Sequence, residues 1–317
     1  MSLQPPATPT ANSIPFRAAD FATLTEALDY AAQGDTGANF YTGRGAIYES
    51  LPYKQLREQC RELAAKLLGF GLTKGDRVAI IAETSPEFVR FFYACEYAGL
   101  VPVALPASVK VGAHSVYVKQ LRLLLEASDA SVAVSSEGYL NFLREAGEPL
   151  AVRMIDTPEA FHNLPAASAP LPQINPEDIA YIQYTSGSTR FPRGVVIKHH
   201  TAMANLQGIS GDGLKMTAED RLMSWLPFYH DMGLVGLCGR RRPRRVAAPS
   251  DRSARHAGPD LGGGSGGSGG WTNVVASDGP FFVCVLRCGL LQRCVPAASD
   301  SPRRLGGRPR WLLPRRS

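Results

Sequence analysis

The sequence contains no apolar run near the roughly 20 residues that a membrane-spanning helix needs, and it is poor in cysteine. Two of its 6 cysteines, Cys60 and Cys95, lie in apolar helical patterns that indicate buried thiols. Cys284, Cys288 and Cys294 have spacings that match no familiar zinc site. The N-terminal stretch MSLQPPATPTANS is polar and proline-rich, unlike a signal peptide. We therefore expect a reduced, cytoplasmic protein without a membrane span, and we assign no metal-ligating residues.

Lysine and glutamate are both absent from residues 239–317. This segment has 15 arginines and 4 aspartates, a net charge of +11, so residues 1–238 carry −5 of the total of +6. The mildly acidic front part gives no electrostatic case for binding DNA or RNA. An arginine-rich tail could bind nucleic acid, but no aromatic or folded recognition element accompanies it, so a nucleic-acid-binding protein is the weakest interpretation.

The Arg/Gly/Pro/Ala/Ser bias of the same segment is typical of disorder. A basic arm for nucleic acid or membrane is one interpretation of it, and a flexible Gly/Ser linker is another. Our preferred hypothesis is a shift of reading frame near Gly236–Gly239, after which GC-rich coding DNA is translated out of frame. We therefore predict a disordered or non-native tail at 239–317.

Strands and helices alternate in the front part of the sequence. The segment LPYKQLREQCRELAAKLLGFG places its apolar residues on one helical face. In SPEFVRFFYACEYAG, Ser85 predicts an N-cap, Pro86 a first helical position and Gly99 the end of the helix. Short apolar segments such as DRVAII, VPVALP and IAYIQY predict strands between the helices. This order predicts an α/β domain with a largely parallel sheet over residues 18–238, after a flexible arm at 1–17.

The last of these strands runs into a loop rich in hydroxyl groups and glycine, in the stretch YIQYTSGSTRFPRGVVIKHH. Glycine lets a ligand approach the backbone closely, and consecutive amides in such a turn bind anions. Arg190 and Arg193 add charge-assisted hydrogen bonds for the oxygens of a polyphosphate. Composition alone leaves an ordinary polar turn open as the alternative. The order of residues is not that of a Walker A loop, and the front part has no Rossmann fingerprint.

Three motifs in collinear order resemble the adenylate-forming superfamily of acyl-CoA synthetases and AMP-dependent ligases. TSGSTRFPRG is similar to its phosphate-binding signature, with Arg190 at a glycine position and Arg193 at the lysine position. SWLPFYHDMGLVG resembles a segment typical of the fatty acyl-AMP ligase branch, and YACEYAGLVPVALP resembles an earlier helix-to-strand block. The resemblance implies an incomplete large N-terminal domain of the adenylate-forming fold, with ATP and Mg²⁺ as cofactors.

The resemblance also implies roles for individual residues. His230 would orient the carboxylate at the junction of the acyl pocket and the α-phosphate, although a structural histidine is the alternative. His199 and His200 are expected to begin a helix and are assigned no chemistry. Arg193 would replace the point charge of a lysine with a forked guanidinium. The residues expected to hold the β- and γ-phosphates of ATP, or to border them, are Thr185, Ser186, Gly187, Ser188, Thr189, Arg190, Arg193 and Gly194.

The implied reaction has two steps. A fatty acid carboxylate attacks the α-phosphate of Mg·ATP to give acyl-AMP and pyrophosphate, and the acyl group then passes to the thiol of an acyl carrier protein or of a polyketide or peptide synthase module. The later family motifs, which supply a metal-binding glutamate, a ribose-binding aspartate and a catalytic lysine, do not occur after residue 237. We therefore expect a truncated ligase of doubtful activity. A long-chain acyl-CoA synthetase and a non-catalytic remnant or partner-binding fragment are the alternatives.

Overall fold

The computed structural model describes most of the front part of the chain and one strand of its tail. The described residues are 14–42, 45–107, 114–185, 193–218, 220, 222–224 and 226–229, together with the backbone of 273–277. Most of the predicted arm and most of the predicted tail therefore lie outside the described residues. Within the described part, no helix is both long enough and apolar enough to cross a membrane.

Helices and strands alternate as expected. The helices are α1 Leu24–Ala31, α2 Tyr53–Gly69, α3 Pro86–Ala98, α4 His114–Ser128, α5 Glu137–Gly147, α6 Pro158–His162 and α7 His199–Gln207, which continues into a π-helical segment at Gly208–Gly213. The strands are β1 Gly37–Thr42, β2 Ile47–Pro52, β3 Arg77–Ile81, β4 Val101–Leu105, β5 Ala130–Val134, β6 Met154–Asp156, β7 Ile179–Tyr184, β8 Gly194–Lys198, β9 Leu222–Ser224 and β10 Asn273–Ser277.

The main sheet has six strands in the order β6-β5-β3-β4-β7-β8. Its strands pair in parallel from β6 to β7, and β8 pairs antiparallel with β7. The α/β class with a largely parallel sheet is therefore confirmed. After β3 the chain passes to β4 on one side, whereas after β5 it passes to β6 on the other side. The connections that follow the neighbouring strands β3 and β5 therefore leave in opposite directions, which makes a topological switch point between their carboxyl ends, a place where open α/β sheets bind ligands.

A second, antiparallel sheet has the order β2-β1-β10-β9. Its strand β10 lies in the segment for which the sequence predicts disorder and no strand. The stretch NVVAS contains two β-branched valines, which favour a strand. Five residues between glycine- and arginine-rich flanks are too short a window for a periodic signal, so composition concealed this element.

Helix α3 lies between α2 and the main sheet, and all its residues except Glu87 are buried. The Ser85 hydroxyl accepts a hydrogen bond from the Phe88 amide at 3.2 Å, and Gly99 ends the helix with φ +65°, so the predicted boundaries are confirmed. The predicted apolar face of α2 is also confirmed, because its apolar residues Leu56, Cys60, Leu63 and Leu67 are all buried. A helix buried on every side makes any charge within it costly unless that charge has a partner.

Candidate functional site

The carboxyl ends of the five parallel strands meet at one edge of the main sheet. The predicted phosphate loop leaves this edge at the end of β7, and α3 begins at the same edge after β3. Helix N-termini and strand ends at such an edge present backbone N–H groups to a ligand. The topology alone therefore places the predicted loop where an anionic ligand would bind.

The base of the loop is closed by a backbone hydrogen bond. The amide of Thr185 donates to the carbonyl oxygen of Arg193 at 3.0 Å, and Tyr184 pairs with Gly194 across the hairpin. Within the described residues Arg193 forms no ion pair, and its exposed side chain leaves the guanidinium available to a phosphate. The other predicted phosphate-binding residues lie outside the described residues; they are Ser186, Gly187, Ser188, Thr189 and Arg190.

Gly194 occupies a crowded position at the start of β8. A Cβ atom there would lie 3.1 Å from Cγ2 of Ile182 and 3.3 Å from Cε1 of Tyr184. The Tyr184 hydroxyl in turn donates to the carbonyl oxygen of Leu124 at 2.9 Å, which ties the end of β7 to α4. The two chain ends that carry the loop are therefore fixed by a close approach on one side and by a hydrogen bond on the other.

The segment that leads to His230 is anchored at the same edge. The amide of Leu226 donates to the Ser224 hydroxyl at 3.1 Å. Phe228 is buried and stacks on Phe88 in the first turn of α3, with ring centroids 5.1 Å apart and an interplanar angle of 22°. The structure thus brings the chain to within two residues of His230 beside the start of α3. His230 itself lies outside the described residues, so its role stays a prediction.

A cavity of about 540 Å³ lies between the carboxyl ends of β3 and β5 and the starts of α3, α5 and α6. Glu87 lines it, 3.0 Å from His162 and 2.6 Å from Arg90. Burial disfavours the ionised form of Glu87, but the hydrogen bond from His162 and the charge of Arg90 outweigh burial and lower its pKa. Of the predicted loop residues that the structure describes, neither Thr185 nor Arg193 lines the cavity.

The described residues contain no group of three or more His, Cys, Asp or Glu side chains placed to hold a metal ion. In the reaction that the resemblance implies, Mg²⁺ enters as part of the substrate Mg·ATP, so its place is at the phosphates that the loop would bind.

His199 begins α7 as predicted, but its environment was not predicted. His199 is 1% exposed, and its imidazole lies against the carboxyl group of Glu96, a residue that is also 1% exposed. Nε2 of His199 is 3.2 Å from Oε2 of Glu96, and Nδ1 accepts a hydrogen bond from the amide of Leu24 at 3.2 Å. A glutamate inside the apolar helical segment FVRFFYACEYA was the available sequence signal, because a buried charge needs a partner.

Comparisons with known proteins agree with this architecture. The sequence model described as "AMP-binding enzyme" matches residues 28–239. A Caulobacter vibrioides protein with the provisional description of acyl-CoA synthetase is 45% identical over 233 residues, 72% of this chain and 40% of that protein. A long-chain-fatty-acid–AMP ligase of Mycobacterium marinum is 33% identical over 199 residues, 60% of this chain and 33% of that protein.

Solved structures give the same result. A structure from a study of fatty acyl-adenylate ligases of E. coli and L. pneumophila has a TM-score of 0.68 and 47% identity, covering 70% of this chain and 40% of that chain. A fatty acyl-adenylate ligase from L. pneumophila, in complex with acyl adenylate and pyrophosphate, has a TM-score of 0.57 at 25% identity, covering 71% and 38%. This chain therefore spans 33% to 40% of the length of these relatives.

Proposed function

Because the chain belongs to the AMP-binding enzyme family, we propose that it is a fatty acyl-AMP ligase that binds Mg·ATP at the loop between β7 and β8. The observation that carries the proposal is the closed base of this loop at the carboxyl edge of the sheet, where Thr185 donates to Arg193 at 3.0 Å. The hydroxyl-rich loop sequence between them supplies the donors that a polyphosphate needs.

The proposed first step joins a carboxylate to the α-phosphorus of ATP. A carboxylate oxygen forms the new P–O bond while the bond to the bridging oxygen of the β-phosphate breaks, and pyrophosphate leaves with that electron pair. No protein nucleophile is needed, so the contribution of the protein is positioning and charge neutralisation. Thr185, the hydroxyls of the loop and the guanidinium of Arg193 would hold the leaving pyrophosphate, and His230 would orient the carboxylate.

The proposed second step passes the acyl group to a thiol. The thiol sulfur attacks the acyl carbon and AMP leaves, which gives a thioester. We propose the phosphopantetheine thiol of an acyl carrier protein or synthase module as the acceptor, since the Mycobacterium marinum relative is described as a fatty-acid–AMP ligase. Coenzyme A is the second candidate, and the description of the Caulobacter vibrioides relative as an acyl-CoA synthetase favours it.

Turnover by the 317-residue chain is proposed to be weak. Its sequence after residue 237 contains neither the metal-binding glutamate motif nor the catalytic lysine that the resemblance implies. The phosphate loop supplies charge and position, but adenine, ribose and the acyl acceptor would have fewer contacts than in a longer relative. The alternative to the proposal is therefore that the chain is a non-catalytic, partner-binding fragment.

Fatty-acid-dependent release of pyrophosphate from the purified chain tests the proposal. An Arg193→Ala, Thr189→Ala double variant is the control, because it removes one charge and one hydroxyl from the loop, and the Arg193 side chain is exposed. Release that the control abolishes would support adenylation at this loop. Absence of release from folded protein, together with absence of ATP binding, would contradict the proposal and leave the fragment interpretation. Adding coenzyme A or a carrier protein to active enzyme then identifies the acceptor.

A further inference from the structure

Strand β8, which carries one end of the phosphate loop, is poorly fixed by hydrophobic burial. Of its five residues only Ile197 is buried, while the side chains of Val195 and Val196 are 41% and 52% exposed. It lies at the end of the main sheet and pairs only with β7 among the described strands. A strand with so little buried surface specifies its register weakly, and a slip by one residue would turn every side chain to the other face.

His199 follows this strand directly and continues its inward-facing side. The side chains of Ile197 and His199 both point into the core, whereas Lys198 between them is exposed and lies 2.8 Å from Glu177. The His199 ring contacts two elements far away in sequence: the start of α1, through the amide of Leu24, and α3, through Glu96. Its own amide donates to the carbonyl oxygen of Asp178 at 3.1 Å, just before β7.

The protonation state of this pair follows from its geometry. Nδ1 of His199 accepts the Leu24 amide proton and therefore carries no proton of its own, so the neutral ring has its proton on Nε2, facing Glu96. If the ring were an imidazolium, its Nδ1–H would face the N–H of Leu24, and two donors would point at each other. Neither carboxyl oxygen of Glu96 receives a hydrogen bond from the described residues, so the contact with His199 is an electrostatic one in a dry environment.

We propose that the buried His199–Glu96 pair is a positioning device that fixes the register of β8, and thereby the positions of Thr185 and Arg193 at the mouth of the phosphate loop. This proposal depends on the proposed function in one respect only, the assignment of the loop to the phosphates of ATP. The positioning itself concerns the hairpin and does not depend on which ligand the loop takes.

Both one-residue slips of β8 conflict with the structure. One slip would move Lys198 into the inward position of His199. Its ammonium group, which has donors only, would then face the donor N–H of Leu24. The opposite slip would bring His200 inward but would place Val195 opposite Tyr184. Val195 would then occupy the position of Gly194, where a Cβ atom lies 3.1 Å from Cγ2 of Ile182. Gly194 at one end and His199 at the other therefore select the observed register together.

Hydrogen exchange of the Thr185 amide reports the register, because its partner is the Arg193 carbonyl across the hairpin. In a His199→Leu variant we expect this amide to exchange about tenfold faster or more, since the variant removes the acceptor of the Leu24 amide and leaves Glu96 unpaired. Amides of the β3–β5 pairing should change less than about threefold. A uniform change across both sheets, or no change at Thr185, would overturn the proposal.

Two further variants separate positioning from stability. His200→Leu is the matched control, because His200 is exposed and bonds only near the surface, with its amide donating to Pro176 at 2.9 Å; it should leave Thr185 exchange unchanged. His199→Leu, Glu96→Leu removes both polar groups together and keeps the protein folded if the single variant fails to fold. Fast Thr185 exchange in this folded double variant is expected, and wild-type protection in it would contradict positioning.

ATP affinity supplies the functional readout. The dissociation constant for a non-hydrolysable ATP analogue should rise about tenfold in His199→Leu in parallel with Thr185 exchange. Glu96→Gln keeps a neutral group with a carbonyl oxygen beside the His199 ring, and should stay close to wild type. If the wild-type chain binds no ATP, the proposed function fails, whereas Thr185 exchange still decides whether the pair positions the hairpin. If ATP affinity is unchanged while Thr185 exchange rises, the pair positions the hairpin without affecting the ligand, and the link between this pair and ATP binding is refuted.

Discussion

Replacing Glu96 by glutamine should change how the stability of the protein depends on pH. Burial raises the pKa of the Glu96 carboxyl well above its ordinary value of 4.5, because the ionised form would lie in a dry environment beside a neutral ring. The folded chain therefore keeps this proton at pH values where the unfolded chain has released it. Glutamine has no proton to lose, so the difference between the two proteins isolates the contribution of Glu96.

The sign and size of the effect follow from proton counting. Above pH 4.5 the folded wild type binds one more proton than the unfolded wild type at this site, so its free energy of unfolding falls as pH rises. Relative to Glu96→Gln the fall is ~1.4 kcal/mol for each pH unit that lies between 4.5 and the raised pKa of the folded carboxyl. The slope continues until pH reaches the raised pKa of the folded carboxyl.

His199 does not interfere in this window. Burial lowers its pKa from 6.5 to about 4, although the nearby charge of Asp178 acts in the opposite direction and that of Lys74 acts in the same direction. Above pH 6.5 the ring is therefore neutral in both the folded and the unfolded chain, and it adds no slope. Its stabilising contribution, which a lowered histidine pKa provides, is lost only as pH falls below 6.5.

Urea unfolding followed by circular dichroism at pH 6.5, 7.5 and 8.5 measures the difference. Glu62→Gln is the control, because a hydrogen bond from Lys66 lowers the pKa of the exposed Glu62, which is ionised in both states throughout this range. We expect the Glu96→Gln and wild-type curves to diverge with pH and the Glu62→Gln curve to remain parallel to wild type. Parallel curves for Glu96→Gln would mean that the folded chain does not hold the Glu96 proton in this range, and would refute the raised pKa of the buried carboxyl.

Three further predictions concern the loop, the approach to His230 and the tail. Gly194→Ala should destabilise the protein by about 1–3 kcal/mol and weaken ATP binding, because its Cβ would crowd Ile182; thermal unfolding measures this, with Gly208→Ala, whose Cβ meets nothing within 4 Å, as the control. Phe228→Ala should cost about 3–5 kcal/mol through the lost stack on Phe88, and a wild-type melting temperature would show that this ring does not anchor the segment. Sequencing the gene across the codons for Gly236–Gly239 tests the frameshift hypothesis. An alternative frame that does not continue into the missing family motifs would reject it.

Local signals in the sequence predicted the elements that local chemistry determines. Ser85 and Gly99 bound α3 because a hydroxyl cap and a left-handed glycine act within four residues of the helix ends. The apolar spacing of α2 predicted its buried face for the same reason. Strands β1 and β2 were not predicted. For β2 the reason is that it exposes four of its six residues and has little alternation to detect.

The contacts of His199 could not be predicted from local patterns. Leu24 and His199 are 175 positions apart in the chain, and the hydrogen bond between them depends on how α1 packs beside α7. The sequence does show that Glu96 and Arg90 lie within the apolar helix α3 and therefore need partners. Arg90 finds its partners in Glu49, Glu87 and Gln59. Charged residues in a buried helix thus indicate that partners exist, without identifying them.

Glu96 differs from Arg90 in a way that bears on function. An arginine cannot lose its charge, so Arg90 must be surrounded by acceptors, whereas a glutamate can become neutral when it is buried. A neutral Glu96 beside a neutral His199 costs far less to bury than an ion pair would, yet it still demands a particular partner at a particular distance. Such a pair adds little to stability but discriminates between registers. That property suits the base of a hairpin whose strand β8 buries one side chain and whose loop must present Thr185 and Arg193 together.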